Sequence, residues 1–215
     1  MQPIPPDQLN RAARALEAGE LVIVPTSRWY MICADATNTR ACRTIFEGKQ
    51  RSPGKSLVLV TPSLADCEQC FVLSDEARGL ADAFWPGDLA LLLPWRDLDE
   101  GARYSAVGSP ALVTNARGAL GALASLTRTP VAATTVNISG DAGIDARGPA
   151  ISPEEVADFL GLTGVKATVI LDGGVCPAAN HLTIIDCSTA HARLIRTGLV
   201  HERAIAAALG RGIPA

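Results

Sequence analysis

Short apolar runs alternate with amphipathic stretches, in which apolar residues recur every three or four positions, along the whole chain. Leu9, Ala12, Ala13 and Leu16 share one face of a helix that Asp7 can cap and that Gly19 ends after about residue 18. Leu21-Val22-Ile23-Val24 then reads as a short buried strand, stopped by Pro25. Asn38 caps a second helix through Phe46, a loop covers 48–54, and 56–60 reads as a strand. Further helices are expected over 63–69, 74–84, 118–126, 153–160 and 201–209. Further strands are expected over 89–93, 111–113, 131–133, 168–171, 183–185 and 193–195, while 97–109 is polar and reads as irregular.

This alternation of helix and strand is the signature of an α/β fold. Some connections are long helical crossovers and others are close to hairpins, which predicts a mixed sheet in place of a regular parallel one. No repeat, low-complexity block or Ser/Gly linker divides the chain, so one domain over 1–215, with its core at about 7–200, is the expectation.

Composition narrows the picture. Of 215 residues, 48% are apolar and 19% charged, enough for a sizeable core, and with aromatics at 4% that core must be mostly aliphatic. The net charge of −3 argues against a surface that coats nucleic acid, though it leaves room for a local basic groove. No apolar run approaches a membrane span, and residues 1–6 lack the regions of a signal peptide, so a cytoplasmic location is expected. Cys67 and Cys70 form a C-x-x-C with no second pair, and Cys33, Cys42, Cys176 and Cys187 stand singly, which favours reduced thiols. His181, His191 and His201 show no metal-ligand spacing, and no metal ligands are assigned. The familiar phosphate-cradling glycine loops are absent.

Three constellations could carry chemistry. Lys49-Gln50-Arg51 begins a stretch ending at Lys55 that places three cations in seven residues, and convergent Lys and Arg donors suit a polyphosphate. On its own this stretch reads more readily as a solvated basic loop. Thr134-Thr135-Val136-Asn137-Ile138-Ser139-Gly140 follows a strand, where ligands dock in open α/β sheets, although a polar turn would look the same. Pro25-Thr26-Ser27-Arg28-Trp29-Tyr30 lies just past another strand. Gly173-Gly174 and Arg196-Thr197-Gly198 complete the set.

In order and spacing these pieces resemble the YrdC-like threonylcarbamoyl-AMP synthase family. Its pattern is P-T-x-T-x-Y-G, K-x-R, W-P-G-P, [ST]-S-A-N-x-S-G, a Gly-Gly turn, S-T-x-x-D and a closing R-x-G. The matching residues run from the 25–31 segment through Lys49 and Arg51, Trp85-Pro86-Gly87-Asp88, 134–140 and 182–186 to Arg196. The resemblance implies a YrdC-like domain, a twisted mixed sheet flanked by helices with a basic concave groove. It also implies a nucleotidyltransferase that joins L-threonine, bicarbonate and ATP with magnesium, releases pyrophosphate and feeds a tRNA modification, with RNA or tRNA-modification proteins as further partners. Lys49 and Arg51 would meet the phosphates. Thr135, Asn137 and Ser139 would hold the nucleotide or acyl-phosphate region, and Thr26, Arg28, Tyr30, Lys55 and Arg196 would line the ATP and substrate site.

Four residues depart from the pattern. Arg28 replaces a small hydroxyl beside the expected amino-acid pocket, Met31 replaces a glycine, Leu112 an arginine, and Leu182 a serine. Arg117 or Arg28 is a candidate to supply the charge missing at Leu112. The ATP-side residues are thus better kept than the amino-acid side. An altered amine substrate, or a non-catalytic module that binds nucleotide or RNA, stands as the alternative.

Overall fold

The computed structural model describes residues 2–52, 54–104, 106–139, 148–177 and 180–214. Its strands are β1 (Val22–Pro25), β2 (Tyr30–Asp35), β3 (Val58–Val60), β4 (Leu89–Leu93), β5 (Ala111–Thr114), β6 (Val131–Thr135), β7 (Val169–Ile170), β8 (Thr183–Asp186) and β9 (Arg193–Arg196). Among the described residues they form one nine-stranded sheet in the order β7-β1-β2-β6-β3-β5-β4-β8-β9. Parallel pairs (β1 with β7, β3 with β5, β4 with β8) and antiparallel pairs (β1 with β2, β2 with β6, β3 with β6, β4 with β5, β8 with β9) are mixed. The expected mixed α/β sheet is the observed one.

Successive strand residues point to opposite faces, and the central strands are apolar on both. Ile23, Tyr30, Ile32, Leu59 and Ala132 face one core. Helices α2 (Thr39–Gly48), α4 (Asp75–Phe84), α7 (Pro153–Thr163) and α8 (Glu202–Leu209) cover it with Ile45, Leu80, Phe159 and Ile205, among others. Their alternating neighbours Val22, Val24, Met31, Cys33, Val58 and Val60 face a second core, closed by α1 (Leu9–Glu17) and α6 (Gly118–Leu126) through Leu16, Leu120 and Leu123.

Three local differences separate structure from sequence pattern. The pattern contains no strand between Pro25 and Asn38, yet β2 lies there at the centre of the sheet. Its first five residues are all buried, so its sequence shows no alternation to reveal it. Asp7 does not cap α1. The N-cap is Gln8, without a side-chain bond, because a turn bonding the Gln8 N–H to the Pro5 carbonyl (3.1 Å) carries the chain into the helix. The segment expected to be irregular contains a short helix, α5 (Leu98–Ala102), nucleated by Asp97, whose carboxylate accepts the Asp99 N–H at 2.9 Å. Asn38 caps α2 as expected, and Ser63, Ser74 and Ser152 likewise each accept a backbone N–H in the first turn of α3 (Leu64–Cys70), of α4 and of α7. The six cysteines are free thiols, all buried except the half-buried Cys70. No helix among the described residues is long and apolar enough to cross a membrane.

The C-terminal helix is tied down electrostatically. Glu76 on α4 accepts from Arg211 at 2.8 and 2.7 Å and from the Ala192 N–H at 2.7 Å. The Arg211 bonds, followed by the Ala192 N–H, pull the Glu76 carboxyl down to about 2. A folded-state value below the usual 4.5 means that this stabilisation is complete above that pH and is lost as pH falls toward 2. In thermal melts followed by circular dichroism, Glu76→Gln should lower Tm at neutral pH, and the gap to the native chain should close as the pH approaches 2. A gap independent of pH would show that the carboxylate charge is not what fastens this end of the chain.

Candidate functional site

α2 ends in a turn that presents two cations. The Gln50 N–H donates to the Glu47 carbonyl at 3.0 Å and the Arg51 N–H to the Phe46 carbonyl at 2.9 Å, the paired bonds of a Schellman cap. Gln50 occupies its left-handed position, with φ of 49°. For a side chain bearing a Cβ this conformation costs about 1–2 kcal/mol. The strained residue is therefore the one between Lys49 and Arg51, and the turn sends the two cations off the end of the same helix.

Lys49 is 1% exposed. Its ammonium donates to the carbonyl oxygens of Thr135 and Asn137, both at 2.5 Å, and to Asn137 Oδ1 at 3.0 Å. All three of its protons are thereby used. The Lys49 carbonyl in turn accepts the Ser139 N–H at 2.7 Å. Burial, and after it the neighbouring Arg51 charge, pull the Lys49 pKa down to about 7. The three oxygen acceptors oppose that pull, since each needs an N–H that only the protonated amine supplies in full.

The 135–139 loop is organised around this ammonium. Thr135 Oγ1 donates to Asn137 Oδ1 at 2.7 Å, and the Asn137 amide reaches the Ile138 carbonyl at 2.9 Å. The Val136 N–H bonds to the Tyr30 carbonyl at 3.1 Å, fixing the loop to the start of β2. Gly140, the last residue of the motif, lies outside the described residues. Arg51 folds back on its own loop, donating to the carbonyls of Lys55 (3.2 Å) and Ser56 (2.6 Å), with its guanidinium 5.9 Å from the Phe46 ring centre. Lys55 is exposed. Among the described residues neither Lys49 nor Arg51 has a carboxylate partner.

The 26–30 segment joins this loop to a second cluster. Thr26 Oγ1 donates to the Trp29 carbonyl at 2.7 Å and accepts the Arg28 and Trp29 N–H groups at 3.2 and 3.3 Å, closing the turn between β1 and β2. Tyr30 is fully buried. Its hydroxyl donates to the Gly174 carbonyl at 2.8 Å and accepts the Gly173 N–H at 3.0 Å. The close approach requires glycine at 173, because a Cβ there would lie 2.4 Å from the Pro25 Cβ. Arg28 is 6% exposed and pairs with Asp88. Its guanidinium is 5.8 Å from the Trp29 ring centre, and that ring packs 4.9 Å from His181. Arg196 donates to the Leu182 carbonyl at 3.1 and 3.0 Å. Burial, then Arg196 and Arg28, hold His181 below its ordinary value. Burial and then Arg28 also lower Arg196, so the two guanidinium groups and the imidazole share one field.

The predicted residues thus fall into two linked groups: Lys49, Arg51, Thr135, Asn137 and Ser139 around one loop, and Thr26, Arg28 and Arg196 around the other, with Tyr30 between. Of the departures, Met31 and Leu112 both pack into the α1/α6 core, so each has an apolar role. Arg117 donates to the Pro86 carbonyl at 2.5 Å, beside the turn that carries Asp88. The sequence reading missed Asp88 and His181. Asp88 stands where the motif has proline, a further departure whose charge is opposite to that of Arg28, and that opposition was the available signal. Among the described residues no group of His, Cys, Asp or Glu could hold a metal ion.

The sheet and these clusters of basic side chains define a mixed α/β protein. The sequence profile of the Sua5/YciO/YrdC family, described as telomere recombination, matches residues 14–198, and the chain belongs to that family. It is 31% identical over 195 residues to a threonylcarbamoyl-AMP synthase of Pyrococcus abyssi, covering 89% of this chain and 54% of that protein. A Bacillus subtilis threonylcarbamoyl-AMP synthase is 28% identical over 208 residues, covering 94% of this chain and 57% of the other. This chain therefore spans little more than half the length of those two relatives. The solved structure of P. abyssi Sua5 complexed with L-threonine superposes with a TM-score of 0.81 at 28% identity, over 100% of this chain and 61% of that one. E. coli YciO shares the fold, with a TM-score of 0.77 at 18% identity over 93% of both chains.

The capping turn makes a local prediction. Gln50→Gly should raise stability by about 0.5–1 kcal/mol, and a β-branched Gln50→Val should lower it. Urea unfolding of the two variants checks this, and equal midpoints would show that the left-handed conformation carries no strain.

Proposed function

We propose that the chain makes a carbamoyl-adenylate from ATP, bicarbonate and an amino acid, with L-threonine the amine that its relatives indicate. The observation that carries this reading is the pair of cations, Lys49 and Arg51, set against a loop of hydroxyl and amide groups with no carboxylate partner among the described residues. An anionic ligand is what such a pair lacks, and a triphosphate supplies one.

In this reading the amine is first carboxylated by bicarbonate, with loss of water, to a carbamate. A carbamate oxygen then attacks the α-phosphorus of ATP, a new P–O bond forms, and the bond to the β-phosphate oxygen breaks to release pyrophosphate. The protein's contribution is placement and charge neutralisation. Lys49 acts through its fixed charge and by shaping the 135–139 loop. Arg51 exchanges the Lys55 and Ser56 carbonyls for phosphate oxygens. Thr135, Asn137 and Ser139 offer hydrogen bonds to the nucleotide or the acyl phosphate, and Lys55 and Arg196 add positive potential. Magnesium, when bound with the nucleotide, would supply further charge neutralisation on the triphosphate. The adenylate then supplies a threonylcarbamoyl modification of tRNA.

The test is adenylate and pyrophosphate formation from ATP and bicarbonate, with and without L-threonine, followed by chromatography and mass spectrometry. Threonine-dependent carbamoyl-adenylate is expected, with Arg51→Ala raising the KM for ATP about ten- to a hundredfold, the loss of one charged hydrogen-bond partner. ATP binding without any adenylate would overturn the enzymatic reading in favour of a nucleotide-binding module.

A further inference from the structure

Arg28 is not fully used by the contacts it makes. Its guanidinium carries five N–H donors in a planar fork suited to a bidentate oxyanion. Asp88 engages it only through Nη1. Nε is buried and has no hydrogen-bond partner among the described residues. A buried donor left in this state is costly, so the site is incomplete as it stands. The two partners are also unequal in their access to water. The Arg28 side chain is 7% exposed and the Asp88 side chain 31%, so the carboxylate can turn out to solvent while the guanidinium cannot.

The surroundings favour an incoming anion. Arg196 and His181, both exposed, lie within the electrostatic reach of Arg28, and the only ion pair Arg28 makes among the described residues is with Asp88. The pair also joins distant parts of the fold. Arg28 immediately precedes Trp29 and β2, Asp88 immediately precedes β4, and β6, β3 and β5 lie between those strands in the sheet. Both members stand at positions where the motif pattern has other residues, threonine and proline.

We propose that Arg28 is the base of an oxyanion site with Arg196 and His181 at its mouth, and that Asp88 occupies this site as an internal competitor until a ligand oxyanion displaces it. The ligand group is a carboxylate or phosphate able to bond Nε and an Nη together. It comes from a phosphate of the nucleotide or from a carboxylate of the amine. The assignment of those two sources rests on the proposed carbamoyl-adenylate reaction, whereas the site itself does not.

Titration calorimetry on the full chain tests this with pyrophosphate, L-threonine and L-aspartate as probes. Asp88→Asn keeps the shape and removes the competing charge, so it should tighten binding of the recognised probe about tenfold or more. Arg28→Gln should abolish that binding, and adding Arg196→Gln to Asp88→Asn should reduce the gain. A gain for pyrophosphate alone assigns the site to phosphate, and a gain for L-aspartate or L-threonine assigns it to carboxylate. If Arg28→Gln fails to melt cooperatively, the comparison of native chain, Asp88→Asn and the double variant decides by itself. Unchanged or weaker binding of all three probes to a folded Asp88→Asn would overturn the proposal and show the pair to be structural. That result would leave the adenylate reading intact. Absence of adenylate in the native chain, with the Asp88→Asn gain present, would remove the reaction and keep the site.

Discussion

A charged amine buried at the end of α2 sets the geometry on which the rest of the site depends. Lys49 meets three oxygens of the 135–139 loop, and its own carbonyl takes the Ser139 N–H. A buried ammonium is tolerated only when its protons are matched in this way. The arrangement therefore works in both directions: the loop satisfies the charge, and the charge decides where the loop's hydroxyl and amide groups point. The Schellman turn then places Arg51 two residues further on, near enough that its charge disfavours that of Lys49. Two cations kept close, with no carboxylate partner among the described residues, form a stored preference for an anion.

The second cluster has a different balance. Arg28 has a carboxylate partner, but that partner is 31% exposed and leaves one buried donor without a partner among the described residues. The two clusters meet through β2, whose first residue, Tyr30, bonds to the Gly173-Gly174 turn by its hydroxyl and to the 135–139 loop by its carbonyl. A change in the position of Arg28 is thus two residues away from the anchor of the nucleotide-side loop. This chain keeps that anchor while placing a buried arginine, and the aspartate that meets it, where the motif has threonine and proline.

Much of this was legible in the sequence, for physical reasons that differ from place to place. The helix after Asn38 announced itself through its cap, because a capping oxygen is local chemistry, and the others through the spacing of their apolar residues. Strands with one signature of burial, such as 21–24 and 89–93, were readable as apolar runs. β2 was not, since burial on both faces removes alternation and a four-residue turn removes any gap before it. The motif pieces could be aligned, and the family follows from them, but the sequence could not show that the Lys49 protons are all engaged within the fold. That depends on Thr135 and Asn137 lying 86 and 88 residues away. The Arg28–Asp88 pair was hidden for the same reason, being a contact across 60 residues of chain and three intervening strands.

The claim that a buried, protonated Lys49 organises the site is open to direct observation. Nitrogen-15 NMR of lysine-labelled protein, with Lys49 assigned by its absence in Lys49→Met, reports the protonation and exchange of that amine. The account predicts a slowly exchanging ammonium signal from Lys49 at about pH 6, below its depressed value of about 7, set apart from the faster-exchanging signals expected of the exposed Lys55 and Lys166. A Lys49 amine that is neutral at that pH, or that exchanges as fast as those two, would contradict it.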